Sequence, residues 1–240
     1  MFFEPRSSFK NLTNLHLRRV IITNLDPFSG FPSLEKLRLV DCRLNTNGTV
    51  LNVHLPQLSE LTISNRNYQR VNRCELATPK LRYFEYRGCN IPHLTTHQGG
   101  LPVLETVVID HNGFCGLNQE KIMFDDVVML FNTLCNAKSL TVFLSIVHLL
   151  LLFPGELVNR RSPFRDLKCL KVDFSFFLTQ HFFESRDKTW RETMEFLPGL
   201  RDYLLQKSHD AEFTVIYPNR FKIKRKRFDG ILKRLISYFI

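Results

Sequence analysis

"LEKLRLVDCRL", residues 34–44, sets leucine at its first, fourth, sixth and eleventh positions and cysteine at its ninth. A helix would repeat its apolar residues every three or four positions, and a half-buried strand would repeat them every second. This spacing does neither. Slid along the chain, apolar-x-x-apolar-x-apolar recurs as Leu12/Leu15/Leu17, Leu34/Leu37/Leu39, Leu58/Leu61/Ile63, Leu81/Phe84/Tyr86 and Leu104/Val107/Ile109. Successive copies begin 22, 24, 23 and 23 residues apart. Ala137/Leu140/Val142 and Leu167/Leu170/Val172 follow after 33 and 30 residues, as copies with insertions.

A period of roughly 20–29 residues with this motif is that of leucine-rich repeats, each of which forms one coil and cannot bury its leucines alone. The expected fold is α/β: a curved leucine-rich repeat solenoid with short parallel strands on its concave face and an irregular or helical convex side. The ninth position is filled by Cys42, Cys89 and Asn112. There the chain leaves its strand, and a compact cysteine can pack or an asparagine can bond the stranded backbone groups. All three are therefore structural repeat positions. "FPSL", "LPQL", "TPKL" and "LPVL" precede four strands, where a proline's missing N–H costs little. Val127, Val128, Leu130, Phe131 and Leu134 recur at helical spacing and predict a convex-side helix. Another helix is expected over 193–208, started or bent at Pro198, and a closing strand at "AEFTVIYP", 211–218.

The chain has 240 residues, 44% of them apolar and 23% charged, with 22 phenylalanines. That is enough to fill an extended core. The net charge of +10 is unevenly placed: residues 220–240 carry +7 and the first 219 only +3. Residues 1–217 read as one repeat domain of about seven irregular repeats, and 218–240 as a basic tail or capping helix. Six scattered cysteines form no C-x-x-C pair, and Glu4 and Pro5 break the opening where a secretory signal would be apolar. An intracellular protein with reduced thiols is expected, in nucleus, cytoplasm or both. "LTVFLSIVHLLLLFP", 140–154, is too short to span a bilayer and reads as a buried strand leading into a helix.

Between the inward leucines, alternate residues face solvent. They are His16 and Arg18, Lys36 and Arg38, Glu60 and Thr62, then Tyr83, Glu85 and Arg87, then Thr106, Val108 and Asp110. Charged and aromatic side chains on a rigid face suit a protein partner, although a solvated sheet face would look similar. His111 precedes Cys115 by four residues, but nothing in the sequence orients a base there. No phosphate loop, H-E-x-x-H or nucleophile elbow occurs. No enzymatic activity, metal, cofactor or small-molecule substrate is expected.

"FPSLEKLRLVDC", "TPKLRYFEYRGC", "LFNTLCNAKSL" and "SPFRDLKCLKVDF" together resemble the leucine-rich repeat region of plant F-box/LRR proteins of the F-box/FBD/LRR type. The resemblance covers roughly residues 7–217, and "YLLQKSHDAEFTVIYP" is similar to how such chains close. It implies the substrate-recognition part of a cullin-RING (SCF) ubiquitin ligase receptor, which holds its target on the concave face. Eleven residues precede Leu12, too few for a three-helix F-box. A Skp1-type adaptor is thus implied as partner only where an F-box is supplied. The alternatives are a stand-alone repeat protein outside ubiquitination, or a nucleic-acid-binding protein acting through Arg220, Lys222, Lys224, Arg225, Lys226 and Arg227.

Overall fold

All seven copies of the repeat enter one parallel sheet, and an eighth strand completes it. The computed structural model describes residues 2–3, 9–23, 26–44, 50–65, 73–96, 100–111, 119–175, 197–208 and 210–216. The chain begins with β1 (Phe2–Phe3), β2 (Asn14–Arg18), β3 (Ile21–Ile22), β4 (Lys36–Val40), β5 (Arg43–Leu44), β6 (Val50–His54) and β7 (Glu60–Asn65). Next come β8 (Arg73–Ala77), β9 (Tyr83–Gly88), β10 (His93–Thr96), β11 (Thr106–His111), α1 (Glu120–Thr133) and β12 (Ser139–Phe143). It continues through α2 (Leu144–Leu151), α3 (Pro154–Val158), β13 (Cys169–Asp173), a helical stretch at 197–204 and β14 (Glu212–Ile216).

The main sheet runs β2-β4-β7-β9-β11-β12-β13-β14, so its spatial order is its chain order, and it is open, with β2 and β14 as edges. Every pairing is parallel and in the register of the repeat. Leu15, Leu37, Leu61, Phe84, Val107, Leu140, Leu170 and Phe213 form one ladder across the sheet. Leu17, Leu39, Ile63, Tyr86, Ile109, Val142, Val172 and Val215 form a second. The six central members of each ladder are buried and the two end members half-buried. A rung thus completes its burial only between two neighbours.

The strands are entered through tight turns. The N–H groups of Leu34, Leu58, Leu81 and Leu104 donate to the carbonyls of Phe31, Leu55, Thr78 and Leu101. Pro32, Pro56, Pro79 and Pro102 therefore occupy the second place of a four-residue turn, where the ring's fixed φ is pre-set. The next two N–H groups reach the preceding rung. Glu35 and Lys36 share the carbonyl of Thr13, Ser59 and Glu60 that of Glu35, and Arg82 and Tyr83 that of Ser59. Glu105 and Thr106 share that of Arg82, Lys138 and Ser139 that of Glu105, and Lys168 and Cys169 that of Lys138. Backbone demand at each strand entry is met by the neighbouring copy, which is what holds the register.

The second layer changes character along the chain. Opposite the early rungs it is the parallel sheet β6-β8-β10, with Leu51, Val53, Cys74, Leu76 and Leu94 turned inward. The short β1, β3 and β5 form a third small sheet. From β11 onward helices take over. α1 packs against β10 and α2, burying Phe124, Val127, Val128, Leu130 and Phe131. The 33-residue spacing supplies the length that a helical return needs and the 22–24-residue copies lack. The apolar run at 140–154 is β12 followed at once by α2, whose Leu144, Ile146, Val147, Leu149 and Leu150 are buried. No described helix is long and apolar enough to cross a membrane. The closing strand is β14, and the helix expected over 193–208 is helical across 197–204, its first residues lying outside the described ones.

Candidate functional site

Inward ladders leave three outward ones on the free face of the main sheet. They run Asn14-Lys36-Glu60-Tyr83-Thr106, His16-Arg38-Thr62-Glu85-Val108 and Arg18-Val40-Ser64-Arg87-Asp110 over the first five strands. The pleat thus brings the outward residues expected from the spacing onto one surface. His16, Arg18, Lys36 and Arg38 are exposed there, and Glu60, Thr62, Tyr83, Glu85 and Arg87 half-exposed.

The centre of this face is an organised polar and aromatic cluster. The Tyr83 hydroxyl donates to Glu85 Oε2 at 2.9 Å, and Arg87 Nε donates to Glu85 Oε1 at 2.5 Å. The Arg87 guanidinium lies 5.0 Å from the centre of the Phe143 ring, two strands away. Partial burial and the adjoining Glu85 carboxylate push the Tyr83 phenol up to about 12. The Arg87 guanidinium is thereby held on two sides, by a carboxylate and by a ring. Toward β2, Lys36 Nζ meets Glu60 Oε1 at 2.6 Å. Just before the strands, Arg82 pairs with Glu105 at 2.9 Å, and Asp166 is shared by Lys138 and Lys168, both at 2.6 Å. Those two lysines hold the Asp166 carboxyl down at about 2.

Asp110 differs from the expectation of a solvent-facing residue, because it is only 4% exposed. Its register neighbour is Arg87, whose side chain extends across β11 to reach Phe143 on β12 and so covers the Asp110 position. Phe143 is the functional candidate that the spacing argument missed. The signal was present: the third outward ladder continues through Phe143 to Asp173.

The two described repeat cysteines are free thiols. Cys42 is buried, and its thiol lies 3.5 Å from the Leu17 carbonyl and 3.6 Å from that of Val40. Cys89 is buried, and its carbonyl takes a hydrogen bond from His111 Nε2 at 2.9 Å. Burial raises the thiol pKa values of Cys42 and Cys89 and lowers that of the His111 imidazole, an environment unsuited to a thiolate. Among the described residues no group of three or more His, Cys, Asp or Glu side chains is placed to hold a metal. Asn112, Cys115 and the basic residues Arg220, Lys222, Lys224, Arg225, Lys226 and Arg227 lie outside the described residues. No family model matches the chain, and neither a curated protein nor a solved structure matches it.

Proposed function

We propose that the chain is a non-catalytic protein-binding module, a curved leucine-rich repeat solenoid whose free sheet face is the concave, partner-facing one. By its resemblance to F-box/LRR proteins, its work is target recognition for a cullin-RING ubiquitin ligase inside the cell. The observation that carries this reading is the braced cluster Tyr83–Glu85–Arg87–Phe143 in the middle of an eight-stranded face. Tyr and Arg that are already immobilised lose little entropy on binding, and these residue types anchor protein interfaces. A face serving only solvation has no need to fix an arginine head group on two sides.

The test places a photo-crosslinking amino acid at Tyr83, with Ile122, 63% exposed on α1 in the second layer, as control. A discrete protein crosslinked in cells from position 83 and not from 122 supports the reading. Equal labelling from both sides, or none from 83, overturns it. Fusing an F-box to the chain then separates receptor from stand-alone binder. A receptor's crosslinked partner becomes ubiquitinated, whereas one that stays bound and unmodified assigns the module to work outside ubiquitination.

A further inference from the structure

Charge is not spread evenly over the free face. His16 stands directly opposite Arg38 on adjacent strands, and Arg18 lies on the diagonal from Arg38. All three are exposed, and none has an ion pair or side-chain hydrogen bond with another described residue. The nearest acids of the face are already engaged. Glu60 holds Lys36 at 2.6 Å, Glu85 holds Tyr83 and Arg87, and Asp110 is buried. Arg18 and Arg38, at diagonal positions of neighbouring strands, carry like charges that repel, and a face that only solvates the fold mixes the two signs. This corner lacks the ion pairs that Lys36 makes with Glu60 and Arg87 with Glu85 beside it.

We propose that His16, Arg18 and Arg38 form a docking site for an acidic peptide segment of a partner protein. This rests on reading the free face as protein-binding, and it names the chemistry of what binds. Arginine's planar fork takes a carboxylate through two parallel bonds, and Arg18 and Arg38 project from the same pleated surface at diagonal positions roughly 7–8 Å apart. Val40, half-buried opposite Arg18, adds an apolar contact between the charges. A nucleic-acid backbone suits the corner less well. It needs a long basic track to release many counterions, and here Glu60 and Glu85 interrupt the track two and three strands from the edge.

The experiment titrates the full chain with a fluorescein-labelled octa-glutamate peptide and reads anisotropy at low and moderate salt. Arg18→Gln/Arg38→Gln is expected to weaken binding at least tenfold, while the unfolding midpoint holds or rises because a repulsive pair is gone. A variant with Lys222, Lys224, Arg225, Lys226 and Arg227 all changed to Gln should keep binding within about twofold of the wild type. Binding that follows the tail variant, or that survives the Arg18/Arg38 change, overturns the site. So does a thymidine 12-mer that displaces the peptide at concentrations below the peptide's own dissociation constant, which assigns the corner to nucleic acid. If position 83 crosslinks a partner while octa-glutamate ignores the corner, the acidic-segment site fails and the protein-binding reading stands. If position 83 crosslinks nothing, the broader reading fails whatever the peptide does.

Discussion

Leu15 and Leu61 occupy the same repeat position and are joined through Leu37 in one ladder, yet their surroundings differ. Leu61 is fully buried between two rungs, whereas Leu15 on the edge strand is half-buried. Leu61→Ala removes the transfer free energy of the lost methyl groups and leaves a cavity that the stacked neighbours cannot close. The expected cost is about 3–4 kcal/mol. Leu15→Ala forfeits only part of the transfer free energy and opens its space to solvent, so about 1 kcal/mol is expected. Urea unfolding followed by far-ultraviolet circular dichroism measures both. The central change should also broaden the transition, because a weakened third rung uncouples the first two from the rest, while an edge change only frays an end. Equal costs at the two positions, or a cost below about 1 kcal/mol at Leu61, would refute the claim that the apolar ladders are a shared spine.

Gly88 stands two residues after Tyr86, and a Cβ there would overlap the Tyr86 hydroxyl and come within 2.6 Å of Cζ. Gly88→Ala should therefore cost about 1–3 kcal/mol. Most of that cost should vanish in a Tyr86→Ile background, as measured by a double-mutant cycle, since Ile63 and Ile109 at the same rung position tolerate Asn65 and His111 two residues on. His111 is kept neutral by burial, its pKa pushed below the ordinary 6.5, so the unfolded chain takes up the proton first. Its contribution to stability is complete above that value and is lost as pH falls through it toward the folded pKa. The wild type should thus lose more stability than His111→Gln between about pH 7.5 and about pH 5. Glu85→Gln should move the Tyr83 phenol down from about 12 toward its ordinary 10 without reaching it, because burial, the larger cause, remains. Phenolate absorbance, taken as the difference from Tyr83→Phe, reads this directly.

The parallel sheet was legible in the sequence because an inward side chain has only two close neighbours in its ladder, the same position in the copies before and after. Leu37, Leu61 and Phe84 follow one template for that reason. The run at 140–154 could be divided into strand and helix by its length and by its place in the repeat. Alternation in the sixth copy put Phe143 on the outward face, but its meeting with Arg87 was not legible, and Asp110 was misjudged for the same cause. Alternation assigns a residue to a face, but burial on that face depends on how far a long neighbour reaches. Arg87 crosses a whole strand to lie over Phe143, and no local pattern encodes that reach. The switch from β10 to α1 in the second layer was half-visible, as a longer spacing with helical periodicity. That β6, β8 and β10 would pair was not visible, because their apolar positions fall between the copies of the motif rather than within them.

The two sides of the sheet answer to different constraints, and the contrast is itself an argument about function. Along an inward ladder each residue must fit the one before and the one after, so Leu15 through Phe213 stays apolar for eight rungs. Along the adjoining outward ladder the chemistry changes at almost every step, from His16 and Arg38 to Thr62, Glu85, Val108, Thr141, Lys171 and Thr214. A face selected only for solubility would show repeated small polar residues or alternating charge. It would not show two arginines and a histidine left together at one edge and an arginine clamped between a carboxylate and a ring at the centre. On our reading, each coil holds its outward residues on a frame that its inward residues make rigid. Such a face can be retuned one rung at a time, at little cost to the stack, which is the physical property that a recognition surface needs.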